Sequence, residues 1–209
     1  MRIFLMSHQQ NEITFKVWGD RALFTRPEFK TEQVTYDVIT PSAAKGVAES
    51  ISWKPEISCQ VLRVGILEPI QKVSILRNMI KSRQSHLTAQ KGNILTIEKD
   101  RTQRHALILR KVAYLITIRL ELRPHATDPL TKYLEIFERR LSKGQCFQQP
   151  YFGCREFVAY FSEPTKEDKP IDLNTDLGLM LHHIDFTSDG AKPVFFPASI
   201  RDGVMDCIL

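Results

Sequence analysis

The 209-residue chain has only four cysteines, and Cys59, Cys146, Cys154 and Cys207 are scattered, without the close paired spacing of a zinc site. Four free thiols are expected, with no structural metal and no cofactor. No stretch approaches the ~18 apolar residues that cross a bilayer. Residues Met1 to Asn11 have neither the apolar core nor the small-residue cleavage site of a secretory leader. A cytoplasmic protein with no membrane partner is the expectation. No internal repeat stands out, and the 43% hydrophobic content is that of a folded domain, which sets disorder aside. Cys154 has no evident partner histidine, and no other nucleophile constellation is visible, which weighs against a small-molecule enzyme.

Charge is plentiful and uneven. Met1 to Ser162 carries 25 basic and 15 acidic residues, a net of +10, whereas Glu163 to Leu209 carries four and nine. Such a split implies a polyanion bound to the first three quarters and a tail that does not share that surface.

The stretch Tyr36 to Pro55, YDVITPSAAKGVAESISWKP, is the most legible. Val34, Tyr36 and Val38 alternate as a strand would. Thr40 offers an N-cap oxygen and Pro41 sits at the first helical position, where its missing N–H costs nothing. Ala43, Ala44, Val47, Ala48 and Ile51 make one apolar face. Gly46 in mid-helix costs about 1 kcal/mol relative to alanine, tolerable if another backbone must approach closely there. Trp53, placed at the helix end, reads as a core residue before a base-stacking platform, and Pro55 stops the helix.

Along the chain, Ile13, Phe15 and Val17 alternate in a first strand to about Gly19. Ile57 to Ile66 reads as a central strand, with Cys59, Val61, Arg63 and Gly65 on one face. Arg77 to Lys91 is polar and basic and reads as an exposed loop or mobile lid, carrying His86. Ile94 to Ile97 is a short strand, and His105 to Arg123 a long twisted one. Asp128 is expected to cap a second helix, with Pro129 first, Leu130, Leu134, Phe137 and Leu141 buried, and Gly144 past its end. Gln145 to Glu156 is a loop. Strands follow at Phe157 to Phe161, Gly178 to Phe186, Pro193 to Phe196 and near Val204, with His182 and His183 structural. This order predicts an α+β fold, a ferredoxin-like (RRM-like) domain followed by a small antiparallel β-sheet domain. The expected boundaries are 12–123 for the first part of the core, 124–156 for its second helix and loop, and 157–209 for the β domain.

Five runs carry a family resemblance: GDRALFTRPE (Gly19 to Glu28), YDVITPSAAKGVAESISWKPE, RTQRHALILRKVAYLI (Arg101 to Ile116), FERRLSKGQCFQQPYFGCREF (Phe137 to Phe157) and DLGLMLHHIDF (Asp176 to Phe186). In this order they resemble the fifth CRISPR-associated (Cas) protein family, type I-C subtype, over nearly all of Thr14 to Leu209. The resemblance implies an endoribonuclease that recognises the CRISPR repeat hairpin. It would cut precursor crRNA on the hairpin's 3′ side without metal and keep the 5′ handle of the mature crRNA. The partners implied are that RNA and the backbone and large subunits of the interference complex, with a monomer when free; a handle-binding subunit that does not cut is the alternative. In the family a tyrosine before the Trp-Lys-Pro turn and a Lys-His pair on the second helix perform the cleavage. The corresponding positions are Ser52, Lys132 and Tyr133, of which only the lysine is unchanged. Arg21, Arg26, Lys30, Tyr36, Lys45, Arg77, Arg83, Arg104, Arg139, Arg140 and Arg155 are the expected nucleic-acid contacts.

Overall fold

The computed structural model describes residues 11–29, 31–82, 85–92, 96–187 and 190–209. In chain order these form β1 (Glu12–Ala22), β2 (Gln33–Val34), α1 (Pro41–Ile51), β3 (Ile57–Ile66), β4 (Lys72–Ile80), the short helices α2 (His86–Gln90) and α3 (Ile97–Asp100), β5 (Arg101–Leu122), α4 (Leu130–Ser142), β6 (Tyr160–Ser162), β7 (Thr175–Thr187), β8 (Gly190–Arg201) and β9 (Val204–Asp206). The strands join in one curled, largely antiparallel sheet in the order β6-β1-β5-β3-β9-β8-β7, with β2 and β4 also on β5. The fold is therefore mixed α/β, dominated by the sheet.

β5 is the spine, and its sequence says why. Val112 to Ile118 is buried without alternation, as befits a strand with a neighbour on each edge and packing on both faces. On one edge β5 pairs with β4 through its first half, Lys72 opposite Leu109, and with β3 through its second, Ile66 opposite Tyr114. Lys111, at φ 51°, sits where the partner changes. On the other edge β1 runs antiparallel from Glu12–Arg119 to Ala22–Leu109. At the far end of the sheet, Asp202 (φ 51°) and Gly203 (φ 74°) form a two-residue turn between β8 and β9 with both central residues left-handed, the type I′ geometry suited to hairpin twist.

Both helices pack on this sheet through aromatic and aliphatic side chains. Phe137 of α4 meets Phe15 of β1 with ring centroids 5.5 Å apart, and Ala44, Val47, Ala48 and Ile51 of α1 are buried. The Thr40 side chain accepts from the Ala43 N–H at 3.2 Å, so the α1 cap is as expected. At the other end of α1, carbonyls with no intrahelical donor are met from elsewhere. Arg140 Nη1 donates to the Ile51 carbonyl at 2.8 Å, and the Phe147 and Gln148 N–H groups donate to that of Ser50. The loop after α4 is thereby fastened to the end of α1. Gly153 (φ 79°) fastens the same loop to β1's exit, since a Cβ there would lie 1.9 Å from the Leu23 carbonyl oxygen.

Several expectations are corrected. Arg77 to Ile80 belongs to β4, not to a loop; Val73, Ile75, Arg77 and Met79 alternate half-buried, a period of two that the charged residues disguise. Ile97 begins a helical turn rather than ending a strand, while 93–95 lie outside the described residues. Asp128 does not cap α4, whose N-cap is Pro129 with no side-chain bond; Asp128 binds Lys132 instead. A Cβ on Gly46 would meet nothing within 4 Å, so no backbone approaches it. The register of β3 shifts between Val61 and Arg63, which turns Arg63 away from the face of Cys59 and Val61. Beyond these corrections, the tail from 157 adds strands to the same sheet: β6 pairs with β1, and β9 with β3.

Candidate functional site

The segment that follows α1 and the segment that precedes α4 meet at one turn. Trp53, Lys54 and Pro55 are exposed there, the Arg123 N–H donates to the Glu56 carbonyl at 2.8 Å, and His125 lies exposed against the turn. His125 Nε2 is 3.0 Å from the Pro55 carbonyl oxygen. A carbonyl only accepts, so Nε2 carries the proton and the neutral ring keeps its lone pair on Nδ1. Nothing in the local sequence marks His125, which follows Pro124 in an irregular segment; only the pairing of residues 70 apart brings it to the Trp-Lys-Pro turn.

The three residues expected to act together are separated by the fold. Lys132 is half-exposed, with Nζ 2.6 Å from Asp128 Oδ2. That hydrogen bond raises its pKa, so it is a cation at neutral pH. Tyr133, the next residue, turns about 100° around the helix into the core, where it is 3% exposed. Its hydroxyl is enclosed and, among the described residues, has no hydrogen-bond partner. Burial, with Glu56 and Asp128 adding to it, pushes the phenol pKa up, so Tyr133 neither faces a ligand nor ionises near neutrality. It takes the place in the buried stripe expected of Leu130 and Leu134, which are only partly covered. Ser52 caps the C-terminus of α1 and is 5% exposed, so it also faces inward. His86 is exposed on α2, apart from this cluster in sequence and element.

The expected basic contacts divide into two groups. Arg21, Arg139 and Arg155 are exposed and, among the described residues, have no acidic partner. Arg21 stands directly across the β1–β5 ladder from the exposed Arg110, a like-charge pairing that an anion between them would relieve. The second group is committed internally. Arg26 lies 4.6 Å over the Tyr36 ring and beside Glu28 and Asp37. Arg77 bridges Gln33, Cys154 and Glu156, Arg104 donates to the Thr31 carbonyl, Arg140 holds the end of α1, and Lys45 pairs with Glu49. Tyr36 is 1% exposed and accepts the Leu181 N–H, so it is a core residue rather than a contact. Lys30 and Arg83 lie outside the described residues.

Beside the turn, a cleft of about 530 Å³ runs along α1, walled by the Leu23–Thr25 segment and the Phe147–Gly153 loop. Trp53 and Phe147 stand at it 47% and 59% exposed, with ring centroids 6.2 Å apart, which corrects the placement of Trp53 in the core. His182 is tied to the Cys207 carbonyl and to His183, in keeping with a structural role. Among the described residues, no group of three or more His, Cys, Asp or Glu side chains is placed to hold a metal ion, and no helix is long and apolar enough to cross a membrane.

Comparison with known proteins gives a consistent answer. Residues 12–208 match the family described as CRISPR-associated protein (Cas_Cas5). Over 209 residues the chain is 45% identical to the CRISPR pre-crRNA endoribonuclease Cas5d of Thermus thermophilus, covering 91% of this chain and 89% of that protein. It is 43% identical over 213 residues to the protein of the same name from Mannheimia succiniciproducens, covering 94% of each. Among solved structures, a crystal structure of a CRISPR-associated protein superposes with a TM-score of 0.71 at 22% identity, covering 95% of this chain and 92% of the other.

Proposed function

This chain belongs to the Cas5 family of CRISPR-associated proteins, and from that membership we propose that it is a pre-crRNA endoribonuclease that cuts on the 3′ side of the repeat hairpin and remains on the 5′ handle. The observation that carries a cutting rather than a passive role is an imidazole and a cation that both face one turn: His125 is bonded to the Pro55 carbonyl, and the neighbouring Glu56 carboxylate acts on Lys132.

The chemistry needs no metal. His125 Nδ1 accepts the proton of the ribose 2′-hydroxyl as O2′ attacks the adjacent phosphorus. The P–O5′ bond breaks and the leaving oxygen takes a proton from water, while the proton on His125 later returns to solvent, leaving a 2′,3′-cyclic phosphate and a 5′-hydroxyl. Lys132 stabilises the charge that builds on the phosphorane. Its partner Asp128 is about as exposed as Lys132 itself, and exposed pairs of this kind contribute little, so a phosphate exchanges readily for the carboxylate. Tyr133 and Ser52 support the site from within the core. Arg21 on β1, Arg139 on α4 and Arg155 in the loop after α4 hold phosphates, and the bound handle then joins the backbone and large subunits of a type I-C interference complex.

The sheet order β6-β1-β5-β3, with α1 and α4 as its crossovers, supports a ferredoxin-like reading of residues 12–156 completed by β6. On this reading 157–209 otherwise forms a small antiparallel β domain continuous with that sheet through β9.

The test is incubation of the purified protein with its cognate repeat RNA in EDTA. Cleavage should persist, with a 2′,3′-cyclic phosphate end, and a 2′-deoxyribose at the scissile nucleotide should block it. Tight binding without cleavage, in EDTA or in magnesium, would establish the passive handle-binding subunit instead.

A further inference from the structure

Gly46 lies in the middle of α1, where glycine is less favourable than alanine, yet the space beyond its α-carbon is empty. No internal contact explains the residue, and what it borders is the cleft. The cleft has an unusual lining for a protein that binds a polyanion. Among the described residues neither lysine nor arginine lines it, and Glu49 is its one charged lining residue, with Lys45 beyond the lining 3.8 Å from its carboxylate in an exposed pair that contributes little. A phosphate is disfavoured there. Trp53 and Phe147 present aromatic surface to water at the mouth, and a carboxylate accepts hydrogen bonds from exocyclic amino groups and ring N–H groups. Flat apolar faces with N–H groups on one edge describe a nucleobase, and single-stranded RNA is bound by stacking such bases on aromatic side chains.

We propose that the cleft along α1 holds one unstacked, amino-bearing base of the bound RNA, stacked on Trp53 and Phe147 with its Watson–Crick edge toward Glu49 and one face over Gly46. Trp53 is two residues from Pro55, the contact of His125, so the base held here belongs to the single strand next to the scissile phosphate. The inference rests on the reading of the protein as a repeat-RNA nuclease, and it adds sequence selection at one nucleotide by a site that holds no phosphate.

The experiment pairs Gly46→Gln with a set of repeat RNAs, each abasic at one single-stranded position. The new side chain enters open space, so the variant should fold with a Tm at or above that of the natural chain. Its affinity for intact RNA should fall about tenfold or more. One abasic position should weaken binding to the natural protein by a similar factor and have no further effect on Gly46→Gln, and Trp53→Ala should show the same coupling. Unchanged affinity of Gly46→Gln, or the absence of any coupled position, would overturn the proposal. So would a variant that binds and cuts RNA normally but fails to assemble with its partner subunits, which would make the cleft a protein interface. If the natural protein does not bind repeat RNA at all, the functional reading itself falls, and that result is distinct from binding without coupling.

Discussion

Tyr133→Phe separates two accounts of the cleavage site. If the tyrosine were the general base, deleting its hydroxyl would slow cleavage by a factor on the order of 10²–10⁴. The structure argues otherwise, because the ring is 3% exposed and the hydroxyl is enclosed without a partner. A buried polar group left unsatisfied is a standing penalty, and phenylalanine fills the same volume without it. The cleavage rate should therefore stay within about twofold of the natural enzyme while Tm rises, on the order of 2–4 °C for a chain of this size. Thermal unfolding followed by circular dichroism, beside single-turnover cleavage of labelled repeat RNA, reads both quantities from one preparation. A rate loss beyond tenfold at unchanged Tm would return Tyr133 to the chemistry. A fall in Tm would show that the hydroxyl has a partner after all.

Lys132→Ala should slow cleavage at least 10²-fold while handle affinity changes less than threefold, because its interaction is strongest in the transition state; equal losses in both would make it a phosphate contact only. His125→Ala should lose a similar factor and regain part of it with added imidazole, whereas full activity would remove His125 from the site. If Arg21, Arg139 and Arg155 each neutralise one phosphate, with a salt slope of ~0.7 per phosphate, raising KCl from about 50 to 200 mM should weaken binding roughly 20-fold, and a salt-independent Kd would contradict this. Burial pushes the Cys59 and Cys207 thiols up to about 12, so Ellman's reagent at mild alkaline pH should find two fast thiols, Cys146 and Cys154, and all four only after unfolding. The folded pKa values lie above the ordinary thiol value of 9.0, so stability from these groups is complete below that pH and is lost as pH rises toward about 12, visible as a falling urea midpoint.

Local chemistry made α1 and β5 legible. The Thr40-Pro41 start, the proline stop and the apolar face of α1 are set by neighbours within four residues, and a run as apolar as Val112 to Ile118 has no stable place except between other strands. The uneven charge implies a polyanion, and only the five family runs specify RNA. What sequence spacing could not decide was which residues face each other or face water. β4 was hidden because a strand at a sheet margin is specified by pairing with β5 and needs few apolar residues. Lys132 and Tyr133 are adjacent in sequence but point about 100° apart around α4, one to water and one to the core, and only packing against Phe15 and its neighbours fixes which side is inside. His125 meets Pro55, and Trp53 meets Phe147, across separations of 70 and 94 residues that no local pattern encodes. Those meetings belong to the tertiary fold, because they exist only once α1 and α4 are seated on the same sheet.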